Sequence, residues 1–247
     1  MSRLRRAALV GNPNAGKSAL FNALTGARQK IANYPGVTVE RKAGRMILPT
    51  GEPVELIDLP GSYSLDAASP DEEVTRKVVL GEFPGEAMPD VLVVVLDAAN
   101  LEQHLVFAQE LIALGRPCVV ALNMVDLAER DGLVIDPRAL EAALGVPVVA
   151  TVAVRKRGLD ALLDAVASAS APGALGGSLP ASSPRRPQPV PPAERRRAAQ
   201  RMAHDAVVSE TAQHRLHARL DRVLLHPWLG PPILFALLFV VFQAVFS

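Results

Sequence analysis

At 247 residues the chain has room for one large domain, or for a domain and an appendage. Hydrophobic residues make up 49% and charged residues 21%, an ordinary globular balance, and a net charge of +1 excludes the basic excess of a protein that grips nucleic-acid backbones. A single cysteine, Cys118, excludes an internal disulfide framework and fits a reducing compartment; within "RPCVVALN" it reads as a buried strand residue.

The first β-type run, "RRAALVG", follows an opening with no secretory pattern and leads straight into "GNPNAGKS" at 11–18. This matches G-x-x-x-x-G-K-[ST] between a strand and the helical "KSALFNALTG", the context that defines a phosphate-binding loop. Gly11, Asn12, Pro13, Asn14, Ala15 and Gly16 can wrap backbone N–H groups around phosphate oxygens. Lys17, Ser18 and Ala19 open a helix whose positive end adds to the pull. Lys17 is expected to reach the β- and γ-phosphates and Ser18 to hold Mg²⁺. In "NYPGVTVE", Thr38 is a candidate second hydroxyl ligand for Mg²⁺, or simply a loop threonine.

The run "EPVELIDLPG" ends in D-L-P-G. Asp58 there can hold Mg²⁺ through water, and the Gly61 N–H can sense a γ-phosphate. Ser62 stands where related switch proteins carry the glutamine that orients the attacking water, so slow hydrolysis is expected.

Next come the strand "PDVLVVVLDAAN" and the helix "LEQHLVFAQELIALG", with Leu105, Ala108, Leu111 and Ile112 on one face and Gly115 as terminator. The strand "RPCVVALNMVD" ends in N-x-x-D. A carboxylate at Asp126 can accept from both guanine N1–H and the exocyclic amine, a pattern adenine lacks. Asn123 braces the loop, and Met124 replaces the lysine common at that place. The helix "DPRALEAALG" starts with Asp136 as N-cap and Pro137 at its first position. After "GVPVVATVAV", the loop Thr151, Val152, Ala153 offers the Ala153 N–H to guanine O6.

Strand–helix alternation over residues 1–170 predicts an α/β three-layer sandwich, a mostly parallel sheet between helices. Residues 171–192 hold seven prolines, three glycines and three serines and read as a linker. A helical spacer is expected over 193–226, with "AERRRAAQRMAHDAVV" as one helix and Leu216, Leu220, Val223 and Leu224 striping a second. His214 and His217 read as solvated helix residues rather than a metal pair. From Ile233 to Phe246 only Gln243 is polar, yet 14 residues fall short of the ~20 that span a bilayer.

The ordered motifs resemble the translation-factor-related class of Ras-like, P-loop GTP-binding domains. Asn14 within "GNPNAGKS" looks like the potassium-activated GTPases, in which a monovalent cation replaces an arginine finger; a turn-forming asparagine is the plainer reading. "GNPNAGKSALFNALTGARQKIANYPGVTVERKAG", "IDLPGSYSL" and "LDRVLLHPWLGPPILFALLFVVFQAVFS" resemble the ferrous iron transport protein B family.

That resemblance implies a cytosolic domain that binds GTP and GDP with Mg²⁺ and K⁺ and regulates Fe(II) uptake. Asn14, Lys17, Thr38 and Gly61 would serve turnover. It also implies a membrane permease, absent here, whose first transmembrane helix would begin at 227–247 and be cut short. Small cytosolic iron-transport partner proteins and the bacterial inner membrane are the implied partners, with no nucleic acid. Arg195, Arg196, Arg197, Arg201, Arg215, Arg219 and Arg222 place the preceding side in the cytoplasm, or form a solvated face. Two other readings stay open: a membrane-tethered nucleotide sensor with negligible turnover, and a ribosome- or RNA-associated GTPase.

Overall fold

Alternating runs of apolar residues decide the architecture. A computed structural model describes residues 4–27, 29–170, 191–210 and 230–246. Strand β1 (Arg5–Val10) pairs in parallel with β4 (Pro53–Asp58) on one side and β5 (Val91–Asp97) on the other. The sheet continues in parallel through β6 (Cys118–Asn123) to β8 (Val148–Ala150). On the opposite edge β2 (Gln29–Asn33) and β3 (Glu40–Ile47) join antiparallel, giving the order β2-β3-β4-β1-β5-β6-β8.

β5 and β6 are buried along their whole length, as continuous apolar runs require when both faces are covered. The strand period of two separates the faces. Ala8, Val10, Leu92 and Val94 face one core with α2 (Pro70–Leu80), α3 (Leu101–Ile112) and α5 (Pro137–Leu144). Ala7, Leu9, Val91 and Val93 face the other with α1 (Lys17–Thr25) and α6 (Leu159–Ala169). The expected three-layer sandwich is therefore present. Cys118 is buried in β6, and burial pushes its thiol up to about 11. The Asp136 carboxylate caps α5 by accepting the Arg138 N–H at 2.9 Å.

A short helix α4 (Val125–Arg130) leads to β7 (Leu133–Ile135). Here the reading of 193–208 as one helix needs correction. Helix α7 (Pro192–Ala206) stops at Ala206, and β9 (Val207–Glu210) pairs antiparallel with β7. Consecutive β-branched Val207 and Val208 suit a strand edge better than a helix interior. α7 packs on α3, burying Ala199 and Ala206.

The last helix, α8 (Gly230–Phe246), leaves Leu234, Phe235, Leu238, Phe239 and Phe242 more than half exposed. No helix among the described residues is long and apolar enough to cross a membrane. Residues 171–190 of the linker expected over 171–192, the leucine stripe at 216–224 and the histidines 214 and 217 lie outside the described residues, and Pro192 belongs to α7.

Candidate functional site: a phosphate cradle and a base-reading loop

The carboxyl ends of β1, β4 and β6 bring the motifs to one edge of the sheet, where open α/β folds bind ligands. The loop after β1 turns through Gly16 at φ +83°, and a Cβ there would meet Met124 Cε at 2.9 Å. Gly16 thus lets the phosphate loop lie against the N-M-V-D loop. Gly61 plays a matching part on the other side, where a Cβ would sit 2.9 Å from Pro13 Cα. Backbone bonds from Leu59 N–H to Leu9 C=O at 3.1 Å and from Ser62 N–H to Gly11 C=O at 3.2 Å seat the D-L-P-G loop beside the cradle.

A cleft of about 750 Å³ opens there, lined by Asn14, Lys17, Ser18, Thr38, Asp58 and Gly61 among others. Lys17 Nζ donates to the carbonyls of Gly11 at 3.1 Å and Asn12 at 2.7 Å. Burial pulls its ammonium down to about 8, against the opposing pull of Asp58. The Ser18 hydroxyl donates to Asp58 Oδ2 at 2.9 Å. Asp58 Oδ1 is buried without a hydrogen-bond partner, and desolvation raises the carboxyl above its ordinary range despite Ser18 and Lys17.

A buried, half-satisfied carboxylate beside a hydroxyl is a hard-oxygen donor set, and this fits Mg²⁺. Thr38 lines the same cleft from an exposed turn after β2. That turn is anchored by Tyr34, whose ring is 1% exposed and lies 5.2 Å from that of Phe83 at a 60° tilt. Asn14 is exposed with φ +64°, a conformation asparagine adopts more readily than most residues. This supports its reading as a turn former and also leaves its side chain at the cleft.

At the other end, Asn123 is a brace on both sides. Its Nδ2 donates to Ala15 C=O at 3.1 Å, while Oδ1 accepts from Thr151 Oγ1 at 3.3 Å and Ala153 N–H at 3.2 Å. The Ala153 N–H expected to meet guanine O6 is therefore engaged by Asn123. Val152 is buried, its N–H bonded to Arg157 C=O at 3.0 Å. Met124 starts α4 at φ +62°, and Asp126 in the first turn lies 3.4 Å from Arg155 Nε.

Ser62, where a catalytic glutamine would stand, is 1% exposed and gives its hydroxyl to Ser64 C=O at 2.7 Å. Two residues invisible to motif reasoning also shape the site. Thr75 of α2 donates to Pro60 C=O at 2.8 Å, and Glu110 of α3 accepts the Leu65 N–H at 2.7 Å. Glu110 sits three residues after buried Phe107, on the inward helix face, which is the one signal it gives.

A Ras-like sheet order, a phosphate loop, D-L-P-G and N-M-V-D at adjoining strand ends define a P-loop G domain. The model of the family described as Ferrous iron transport protein B matches residues 5–166. The chain belongs to the ferrous iron transport protein B family.

It is 49% identical over 158 residues to the Fe(2+) transporter FeoB of Salmonella typhimurium, and 48% identical over 158 residues to that of Escherichia coli K12. Each match covers 62% of this chain and 20% of the relative, so the chain spans about a fifth of the length of these curated relatives. Among solved structures, the cytosolic domain of L. pneumophila FeoB has a TM-score of 0.61 at 44% identity, covering 66% of this chain and 68% of that one. The cytosolic domain of T. maritima FeoB in a GDP form has a TM-score of 0.64 at 38% identity, covering 69% and 64%. Its GMPPNP form has a TM-score of 0.62 at 38% identity, covering 68% and 64%.

Proposed function

We propose that this G domain binds GTP and GDP with Mg²⁺, hydrolyses GTP slowly with potassium assistance, and serves as the cytosolic switch of a bacterial ferrous iron transporter. The observation that carries the proposal is the convergence of Lys17, Ser18, Asp58 and Gly61 on one cleft, with Asn123 bracing the base loop behind it. The GDP and GMPPNP forms of the T. maritima relative support the choice of ligand.

Lys17 exchanges two loop carbonyls for β- and γ-phosphate oxygens. Ser18 and Asp58, with Thr38 from the facing turn, would hold Mg²⁺, which neutralises charge on the phosphates when bound. The Gly61 N–H would meet the γ-phosphate and give the D-L-P-G loop its nucleotide sensitivity. Asp126 selects guanine by accepting two donors. Asn14 would hold K⁺, which supplies positive charge where other GTPases use an arginine. Loops ordered around Thr38 and Gly61 would carry the nucleotide state to the permease and to small cytosolic partners. The exposed apolar side chains of α8 suit contact with the inner membrane.

A second reading has its own support. Because Ser62 is turned into the protein, no side chain at that position can orient water, which favours a membrane-tethered nucleotide sensor with negligible turnover. Steady-state GTP hydrolysis by the whole chain in detergent, in potassium and in sodium, separates the two. The proposal expects at least tenfold faster turnover in potassium, lost in Asn14→Ala. Equal rates in both salts with GTP still bound would favour the sensor and leave Asn14 a turn residue.

A further inference from the structure

Thr38 reaches the cleft from a turn whose middle is exposed and whose two ends are buried. Pro35, Gly36, Val37 and Thr38 are exposed, while Tyr34 and Val39 are buried. The Tyr34 N–H donates to Val39 C=O at 2.9 Å and the Val37 N–H to Tyr34 C=O at 3.2 Å, so the turn closes on itself. Closure fixes the shape of the turn but not its place against the cleft.

Its place is set by residues 81–90, between α2 and β5. The buried Phe83 ring packs 5.2 Å from that of Tyr34, on one side of Thr38. On the other side stands Arg41, whose Nε donates to Glu86 Oε1 and whose Nη2 donates to Glu86 Oε2 at 3.3 Å. The Glu86 N–H bonds Phe83 C=O at 3.2 Å, which sets both anchoring side chains on one turn. Arg6 of β1 lies 3.5 Å from the Glu86 carboxylate and 2.6 Å from Glu55 of β4, so the anchor is tied to the sheet. Strand alternation turns Arg41 away from the face on which Glu40 and Lys42 line the cleft. The loop therefore holds Thr38 from behind the sheet, without entering the cleft.

We infer that Phe83 and Glu86 are positioning residues, which act through Tyr34 and Arg41 to hold the Thr38 turn where its hydroxyl can join Ser18 and Asp58 on Mg²⁺ in the triphosphate complex. A turn already held in place has less freedom to lose when the ion binds, so the anchor strengthens Mg²⁺ binding. In the diphosphate complex no γ-phosphate and Mg²⁺ order the Thr38 turn, and the anchor has no such effect. The Tyr34 hydroxyl is buried without a hydrogen-bond partner among the described residues, so the aromatic ring itself is what Phe83 holds. This inference rests on the guanine-nucleotide reading of the cleft.

The test has two readouts on the whole chain in detergent. In the nucleotide-free chain, hydrogen exchange of the Tyr34 amide, followed by NMR, is expected to be at least tenfold faster in Phe83→Ala. In the GMPPNP complex, the Mg²⁺ dissociation constant is expected to rise at least fivefold in Phe83→Ala and at least twofold in Glu86→Gln, while that of the GDP complex changes less than twofold. Tyr34→Phe keeps the ring and should stay within twofold of the parent in both readouts. Leu140→Ala is the control for a general loss of packing. Leu140 is fully buried in the same core, but its helix α5 packs on β8, at the far end of the sheet from β2 and β3. It should lower Tm and leave Mg²⁺ binding unmoved. Unchanged amide exchange in Phe83→Ala, Mg²⁺ binding unchanged in the GMPPNP complexes of both anchor variants, or an equal loss in Leu140→Ala overturns the assignment. If the parent chain binds neither nucleotide, the nucleotide reading fails and the assignment falls with it. If GMPPNP binds and the anchor variants hold Mg²⁺ as the parent does, the assignment alone fails.

Discussion

Lys17 shows how a single side chain carries both a folding cost and a function. Buried beside the phosphate loop, its ammonium is held near 8 instead of 10.5. Because the folded value lies below the unfolded one, the burial cost is fully present below about 8 and is relieved as pH rises toward 10.5. Phosphate oxygens would reverse the shift by favouring the charged form. The ¹³Cε resonance of Lys17 is therefore expected to titrate near pH 8 in the free chain and to move upward by more than one pH unit when GDP is added. A titration unchanged by GDP would remove Lys17 from the phosphate site.

Gly61 has a steric role that can be tested as directly. Its Cβ position lies 2.9 Å from backbone and side-chain atoms of Pro13, so Gly61→Ala must push the D-L-P-G loop off the cradle. Turnover is expected to fall at least tenfold, while GDP affinity, which depends on the loop at 11–18 and on Asp126, changes less than threefold. Asn123 was legible as a brace from its place in N-x-x-D. That it also holds the Ala153 N–H was not legible, because the bond joins the ends of two strands whose spacing in the sheet the sequence does not state.

At the scale of elements, α2 is the piece that ties the D-L-P-G loop to the core. Ser69 caps it by accepting the Glu72 N–H at 3.2 Å, Pro70 opens it, and Asp71, Glu72 and Glu73 fill its first turn. Thr75, fully buried, donates to Pro60 C=O at 2.8 Å. Thr75→Val keeps the shape but leaves that carbonyl without its donor, at a cost of about 1–3 kcal/mol. For a chain of this size that amounts to a Tm lowered by roughly 2–4 °C per kcal/mol, read by thermal unfolding.

The elements legible in the sequence were the apolar strand runs and the helices marked by a motif, an apolar face or a cap: β1, β4, β5, β6, β8, α1, α3 and α5. β2 and β3 were not, for a physical reason. All five residues of the edge strand β2 are exposed, and "ERKAGRMI" in β3 carries charge and no clean apolar alternation, so that only pairing with β2 and β4 marks it as a strand. β9 escaped notice because it is a strand only by virtue of β7, a three-residue partner far away in the sequence.

For the whole molecule, the seven-stranded sheet domain and the segment Pro192–Glu210 are joined. α7 packs on α3, β9 pairs with β7, and the Asp136 N–H bonds Ala206 C=O at 2.8 Å, so α7 is docked on the domain that would hold the nucleotide. At 1.5 Å per residue the 17 residues of α8 reach about 25 Å, short of a ~30 Å hydrocarbon core.

Under the proposed function the cleft and the N-M-V-D loop form one guanine-nucleotide site. The most direct measurement is a calorimetric titration of the whole chain with GDP, ADP and XDP, alongside Asp126→Asn. GDP should bind at least 100-fold more tightly than ADP. In Asp126→Asn the preference should pass to XDP, because an amide can donate to the xanthine 2-oxo group where the carboxylate accepts from the guanine amine. Equal affinity for GDP and ADP, or an Asp126→Asn variant that still prefers GDP, would contradict the claim.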